Sequence, residues 1–138
     1  MSVEDRSLVN WSSYAQARAE LGANFARILG YFREDGLKSV DAIEAAMRAR
    51  SAAALVVPAH TLKGEARQFG ADTLGDLAEA VEMTARDCVE RHDAPDMLLE
   101  QVVALRPLFN RTLTALEREA NPLVARKPAG GFGRRVAI

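Results

Sequence analysis

Apolar residues recur at spacings of three and four along most of this 138-residue chain. That spacing places them on one face of an α-helix, which turns by about 100° per residue. Alanine is abundant and runs of β-branched residues are scarce, so local propensity also favours helix. The apolar face of each helix has to be buried against another helix. Four such helices joined by short connections predict an all-α fold, an antiparallel four-helix bundle with a short extra N-terminal helix.

The periodic stretches define the expected elements. They are a short helix at about 11–19, a long helix at about 21–47 with a bend near Gly36, and helices at about 52–70, 73–91 and 95–120. Asp72 or Thr73 is expected to cap the 73–91 helix, and Asp93 the last helix. Pro58 costs about 3 kcal/mol in an ordinary helix interior, so it either kinks the 52–70 helix or marks its true beginning. Pro107 predicts a local bend for the same reason.

The length fits one domain, and the composition divides the chain into three parts. Residues 1–10 are expected to be an N-terminal extension, and residues 11–120 the helical domain. No acidic residue follows Glu119, and the last stretch holds several arginines and glycines. Residues 121–138 are therefore predicted to be a basic, flexible tail.

Charge and cysteine content exclude several classes of protein. The formal net charge is −1, which argues against a general nucleic-acid binder. No apolar run is long enough to cross a bilayer, and the polar N-terminus lacks the order of a secretory signal. A single cysteine, Cys88, cannot form an internal disulfide or a cysteine-rich zinc site. We therefore expect a cytoplasmic protein that binds neither nucleic acid nor membranes and holds no metal.

The two histidines lie in different contexts. His92 follows a predicted helix, where it can meet the last free carbonyl groups. His60 lies inside one, and three residues project from the same face, three, four and seven positions after it: Lys63, Gly64 and Arg67. The opposite face is apolar, with Leu55, Ala59, Leu62, Ala66 and Phe69. His60 is therefore predicted to face solvent beside a glycine and two cations.

That neighbourhood suits a phosphorylated histidine. A neutral imidazole keeps a ring nitrogen that can attack phosphorus, and nearby cations favour a bound anion. Gly64 costs about 1 kcal/mol relative to alanine inside a helix, but it lets another molecule approach the ring closely. On composition and spacing alone, a solvated helix face explains these residues equally well.

The wording of this segment is more specific. Ala59 to Gly64 reads A-H-T-L-K-G, Phe69-Gly70-Ala71 follows, and Leu74 comes shortly after. In these residues the chain resembles the histidine phosphotransfer (HPt) domains of bacterial multistep phosphorelays. The resemblance extends in helix order from about Trp11 to Ala120.

The resemblance implies a function and roles for three residues. His60 would accept a phosphoryl group from a receiver-domain aspartate and pass it to another, Lys63 would support that group, and Gly64 would admit the receiver. The partners would be receiver domains of hybrid histidine kinases and response regulators, and these would supply Mg²⁺. The chain itself would be a phosphocarrier, not an enzyme, with no bound cofactor, and we expect a monomer.

Further residues are candidates for binding the partner. Val56, Val57 and Phe69 are predicted to form an apolar docking patch near His60, with Phe69 also a candidate for the core. Arg67 would add positive charge, and Gln68 a hydrogen bond. Glu65 departs from the family, which usually has a small residue there, and its expected effects are on partner choice and phosphate affinity.

Two alternatives remain at this point. The first is a helical adaptor that docks a histidine kinase or response regulator without being phosphorylated. The second is the dimerisation and phosphoacceptor part of a histidine kinase. No phosphate-binding loop or kinase signature is present, so phosphate from ATP is not expected to reach His60 without a partner.

Overall fold

The computed structural model describes residues 3–121, and in this part of the chain every regular element is helical. The α-helices are α1 (Val3–Leu8), α2 (Trp11–Leu21), α3 (Phe25–Arg48), α4 (Ala52–Gln68), α5 (Asp72–Arg91) and α6 (Leu99–Ala120). Short connections between α3, α4, α5 and α6 make neighbouring helices antiparallel. The predicted four-helix bundle is confirmed, and two short helices precede it. The predicted tail, from residue 122 onward, lies outside the described residues.

The helix starts follow local capping chemistry, with two departures from prediction. Ser51 caps α4, since its hydroxyl oxygen accepts from the Ala54 N–H at 3.1 Å. Helix α4 therefore begins at Ala52 and continues through Pro58. Helix α5 has no side-chain cap: Asp72 is its first residue, and the Thr73 hydroxyl donates to the Ser7 carbonyl at 2.8 Å.

The start of α6 also differs from prediction. Residues 96–98 form a 3-10 turn, so α6 begins at Leu99 and Asp93 does not cap it. Asp96 accepts two hydrogen bonds from the Arg50 guanidinium, at 3.0 and 2.6 Å. This pair joins the turn before α6 to the turn that follows α3.

Gly36 brings two helices together. Helix α3 is continuous from Phe25 to Arg48, and a Cβ added at Gly36 would overlap the Phe109 ring of α6. The missing side chain thus allows close packing, whereas the sequence suggested a bend.

A row of aromatic rings fills one end of the core. Trp11, Tyr14, Phe25, Phe69, Phe32 and Phe109 contact one another in sequence, with centroids 5.1 to 5.7 Å apart. The row connects α2, α3, the end of α4 and α6. Phe69 directly follows α4, so the burial of its ring in this row fixes the position of the end of that helix.

The N-terminal residues are attached to the turn between α4 and α5. Leu8 and Val9 are buried in the core, so the structure packs two residues of the predicted 1–10 extension into the domain. The Asn10 N–H donates to the Gly70 carbonyl at 2.8 Å. Gly70 has a φ of 75°, and a Cβ there would lie 2.6 Å from the Asn10 oxygen, so a glycine is needed on both grounds.

Candidate functional site

His60 lies on the outer face of α4, and residues on either side of it in sequence lie on the buried inner face. Its side chain is 61% exposed, whereas Ala59 and Leu62 are completely buried. The apolar spacing of α4 therefore orients the imidazole toward solvent, as the sequence predicts. The neighbouring helix α5 meets the ring on one side.

A buried carboxylate on α5 contacts His60. Glu82 is only 3% exposed, and its Oε2 lies 3.0 Å from His60 Nδ1. The same oxygen accepts from Arg86 Nε at 3.0 Å and from Arg86 Nη2 at 2.8 Å. The Lys63 ammonium lies 2.8 Å from the other oxygen, Oε1. One carboxylate thus joins the histidine to two cations.

The electrostatics of this cluster keep Glu82 ionised. Burial acts to raise its pKa, but the close contact with Lys63 and the hydrogen bonds with Arg86 and His60 outweigh burial and lower the pKa to about 2. An ionised carboxylate can only accept hydrogen bonds. His60 Nδ1 must therefore carry the proton in this contact. In the neutral ring, Nε2 then keeps its lone pair.

The cluster carries an excess of positive charge. Lys63 and Arg86 bring two cations against one carboxylate, and the Arg86 side chain is 53% exposed. The ammonium of Lys63 has three donors and can contact Glu82 and a second anion together. An anion on the exposed nitrogen of His60 would thus meet a site with a net charge of one positive unit.

Gly64 keeps the surface beside His60 open. A Cβ added there would have no atom within 4 Å. The glycine is therefore not required for packing inside this chain. What it leaves free is space outside the helix, one turn after the histidine.

Arg67 does not join the His60 cluster. Its Nη2 donates to Asp76 at 2.8 Å and to Glu79 at 2.7 Å, both on α5. Its side chain also lies across Gly75, where a Cβ would be 2.9 Å from Arg67 Cγ. Arg67 fastens α4 to α5, and its charge is already paired.

The predicted docking residues do not form one continuous patch in the structure. Val57 is 71% exposed and Val56 is partly buried one turn before His60. Gln68 is exposed near the end of α4. Phe69 is completely buried in the aromatic row, between Phe25 and Phe32. It therefore lies in the core, the alternative that the sequence also offered, and not in a docking patch. The helix ends before Phe69, and the turn that follows directs its ring into the core.

Glu82 and Arg86 were not predicted from the sequence as site residues. Glu82 stands in the apolar stripe of α5, among buried residues such as Ala78, Val81 and Ala85. An acidic residue in a buried stripe needs a partner, and a cation four positions later is one. That pattern was the available signal. It does not reveal which residue of another helix lies opposite.

Glu65 lies on a different side of α4. It is partly buried, its Oε1 has no hydrogen-bond partner within the described residues, and Asp35 of α3 is nearby. Burial, and to a smaller extent the Asp35 charge, raise the pKa of Glu65. The departure from the family at this position therefore adds an acidic pair between α3 and α4, away from Glu82.

His92 has a structural position. It is the C-cap of α5, with a left-handed backbone at φ 58° and ψ 37°, and its N–H reaches the Val89 carbonyl at 3.2 Å. The ring is exposed. His92 thus ends a helix, and no carboxylate orients its ring among the described residues.

Residues 3–121 show no sign of two other kinds of site. No helix there is both long and apolar enough for a membrane span. No three side chains of the types that ligate metals come together in that range.

Comparison with known proteins identifies the family. The model of the Hpt domain matches residues 27–119, well over half of the chain. This range covers most of α3, all of α4 and α5, and nearly all of α6, and it includes His60, Lys63 and Glu82. No curated protein and no solved structure gives a significant match. The chain belongs to the family of histidine phosphotransfer (Hpt) domain proteins.

Proposed function

We propose that His60 accepts a phosphoryl group from the aspartyl phosphate of one receiver domain and passes it to the aspartate of another. Membership in the Hpt family places the chain in phosphorelay signalling in general terms. The observation that carries the more specific proposal is the hydrogen bond between His60 Nδ1 and the buried Glu82 carboxylate. It leaves the exposed Nε2 as the nucleophile.

The transfer step needs one bond exchange. The Nε2 lone pair attacks phosphorus, the bond between phosphorus and the aspartyl oxygen breaks, and the aspartate leaves as a carboxylate. The imidazole ring gains positive charge and keeps its proton on Nδ1. Glu82 stabilises that charge through the existing hydrogen bond at 3.0 Å. The reverse sequence delivers the phosphoryl group to the next receiver.

The two cations have complementary roles. Lys63 and Arg86 hold Glu82 in place and provide excess positive charge beside the transferred group. Charge on the phosphoryl oxygens increases the benefit of such cations during transfer. The receiver partner would supply Mg²⁺ and the acidic pocket that binds it. The chain would thus act as a carrier with an aligned nucleophile.

The two histidines provide a matched test. His60→Asn places an amide nitrogen near the position of Nδ1, so it can still donate to Glu82, but it removes Nε2. His92→Asn suits the left-handed backbone at that position. Each variant is incubated with a ³²P-labelled phosphorylated receiver and Mg²⁺, and acid-labile label on the chain is measured.

We expect His60→Asn to reduce the label to background and His92→Asn to retain it. Undiminished label in His60→Asn contradicts the proposal. An adaptor function predicts a third result, in which the receiver binds both variants and the wild type equally but none becomes labelled.

A further inference from the structure

A shallow groove lies between α4 and α5 directly beside His60. Its volume is about 310 Å³, and it is lined by Val56, Arg86, Asp87, Val89 and Glu90. Val56 precedes His60 by one helical turn, and Arg86 is the residue that shares the Glu82 oxygen with His60. The groove therefore shares Arg86 with the cluster around His60.

The groove is lined by both apolar and charged side chains. Val89 is 43% exposed, and Val56 is partly buried. Partly exposed valines around a concave surface suit an apolar side chain from a partner. The apolar part thus supplies contact area close to the reacting nitrogen.

The charges of the groove do not cancel. Glu82 already neutralises Arg86 at 2.8 Å. Asp87 and Glu90 are exposed, and neither side chain forms a hydrogen bond or ion pair with any residue between 3 and 121. Arg91 lies one turn after Asp87, but no ion pair joins them. Two carboxylates are therefore available to a positively charged partner.

We propose that this groove selects the receiver partner, by accepting an aliphatic or aromatic side chain flanked by lysine or arginine. The inference rests on the proposed function of His60 and adds a determinant of specificity to it. The basic residue of the receiver pairs with Asp87 and Glu90 while the apolar side chain packs on Val56 and Val89. Paired carboxylates at a rim mainly speed association, and the apolar contact prolongs it.

Two pairs of variants test the groove. Glu90→Lys reverses a charge on its rim, and Glu100→Lys makes the same change on α6, on another face of the bundle. Val89→Ser removes apolar contact in the groove, and Val103→Ser does so at an exposed valine of α6. Each protein is tested for phosphotransfer from each purified phosphorylated receiver domain of the source organism, at low and at high salt.

We expect Glu90→Lys to slow transfer from the receivers that serve wild type best by roughly three- to tenfold at low salt. The difference should shrink at about 0.5 M salt, where exposed charges are screened. Val89→Ser should slow transfer at both salt concentrations, and the two α6 variants should match wild type. Circular dichroism verifies that all four are folded.

The outcomes separate the two proposals. If His60 is labelled normally but Glu90→Lys and Val89→Ser behave like their α6 controls with every receiver, the groove proposal is wrong and the function of His60 stands. If no receiver labels wild type, both proposals are overturned.

Discussion

Two of the charge clusters that join neighbouring helices of this bundle are built in opposite ways. On α4 and α5, one carboxylate, Glu82, contacts Lys63, Arg86 and His60. Between α3 and α6, one guanidinium, Arg106, contacts Asp41 at 2.5 Å and Glu44 at 2.9 Å. Both clusters tie two helices together across the bundle.

The difference lies in the central group and in the sign of the excess charge. Glu82 is 3% exposed and is surrounded by donors, so its cluster has a net positive charge and an oriented imidazole at its edge. Arg106 is 36% exposed, and its cluster has a net negative charge. Only the first cluster can attract a phosphoryl group and present a nucleophile to it. The comparison suggests that the second cluster serves stability alone.

Removing the central residue of each cluster gives the largest expected difference between the two. Glu82→Ala frees the imidazole to change tautomer and should slow phosphotransfer by about 10- to 100-fold, the usual cost of losing a group that orients a reactive ligand. Arg106→Ala should leave the transfer rate within about twofold of wild type, at a cost in stability of about 1 kcal/mol. Single-turnover transfer and urea denaturation measure the two effects.

Glu82→Gln serves as the conservative variant, because its amide oxygen can still accept from His60 Nδ1. It should recover most of the transfer rate that Glu82→Ala loses. Equal losses in Glu82→Ala and Arg106→Ala would indicate that both clusters act only through the stability of the bundle.

Lowering the pH should remove the contribution that Glu82 makes to the stability of the fold. The pKa of Glu82 is about 2 in the folded protein and 4.5 ordinarily, so its stabilisation is complete above about pH 5 and is lost as the pH falls toward 2. We expect wild type to exceed Glu82→Gln in unfolding free energy by on the order of 2 kcal/mol at pH 7. The gap should close as the pH falls from 5 to 2.

Urea denaturation at a series of pH values measures this gap. Glu90→Gln, at an exposed carboxylate without an ion pair among the described residues, should remain within about 0.5 kcal/mol of wild type throughout. A gap between wild type and Glu82→Gln that stays constant down to pH 2 would show that Glu82 does not titrate as an ion-paired group.

Replacing a glycine by alanine should have the smallest effect of these changes, and it tests how closely the receiver approaches His60. Gly64 and Gly30 lie inside helices, and a Cβ added at either would have no atom within 4 Å. Alanine should therefore stabilise both positions, by up to about 1 kcal/mol. Gly64→Ala should nevertheless slow transfer severalfold, because the new methyl group meets the docked receiver, whereas Gly30→Ala should not. Equal transfer rates would mean that the receiver does not approach over Gly64.

Much of the fold and one side of the site could be predicted from the sequence. The apolar spacing predicted the helices, and helical spacing placed His60, Lys63 and Gly64 on one face of α4. Those inferences succeed because they depend on periodicity within a single helix.

The remainder depends on how helices pack against each other. The approach of α5 to α4 brings Glu82 under His60, and the close contact of α3 with α6 explains Gly36. Phe69 is buried, as its place on the apolar face of α4 indicated, and its proximity to His60 in sequence does not make it a docking residue. Arg67 lies on the predicted side of its helix, but two carboxylates of α5 hold its charge.

The protonation of His60 before and after phosphorylation tests the central claim most directly. The claim is that Glu82 holds the proton on Nδ1 and leaves Nε2 to accept phosphorus. A two-bond ¹H–¹⁵N spectrum of the unphosphorylated protein, recorded with the His60 ring in its neutral form, should show the proton on Nδ1. After treatment with phosphoramidate, the same spectrum should show phosphorus on Nε2 and the proton still on Nδ1. A proton on Nε2 in the free protein, or phosphorus on Nδ1 or on His92, would contradict the claim.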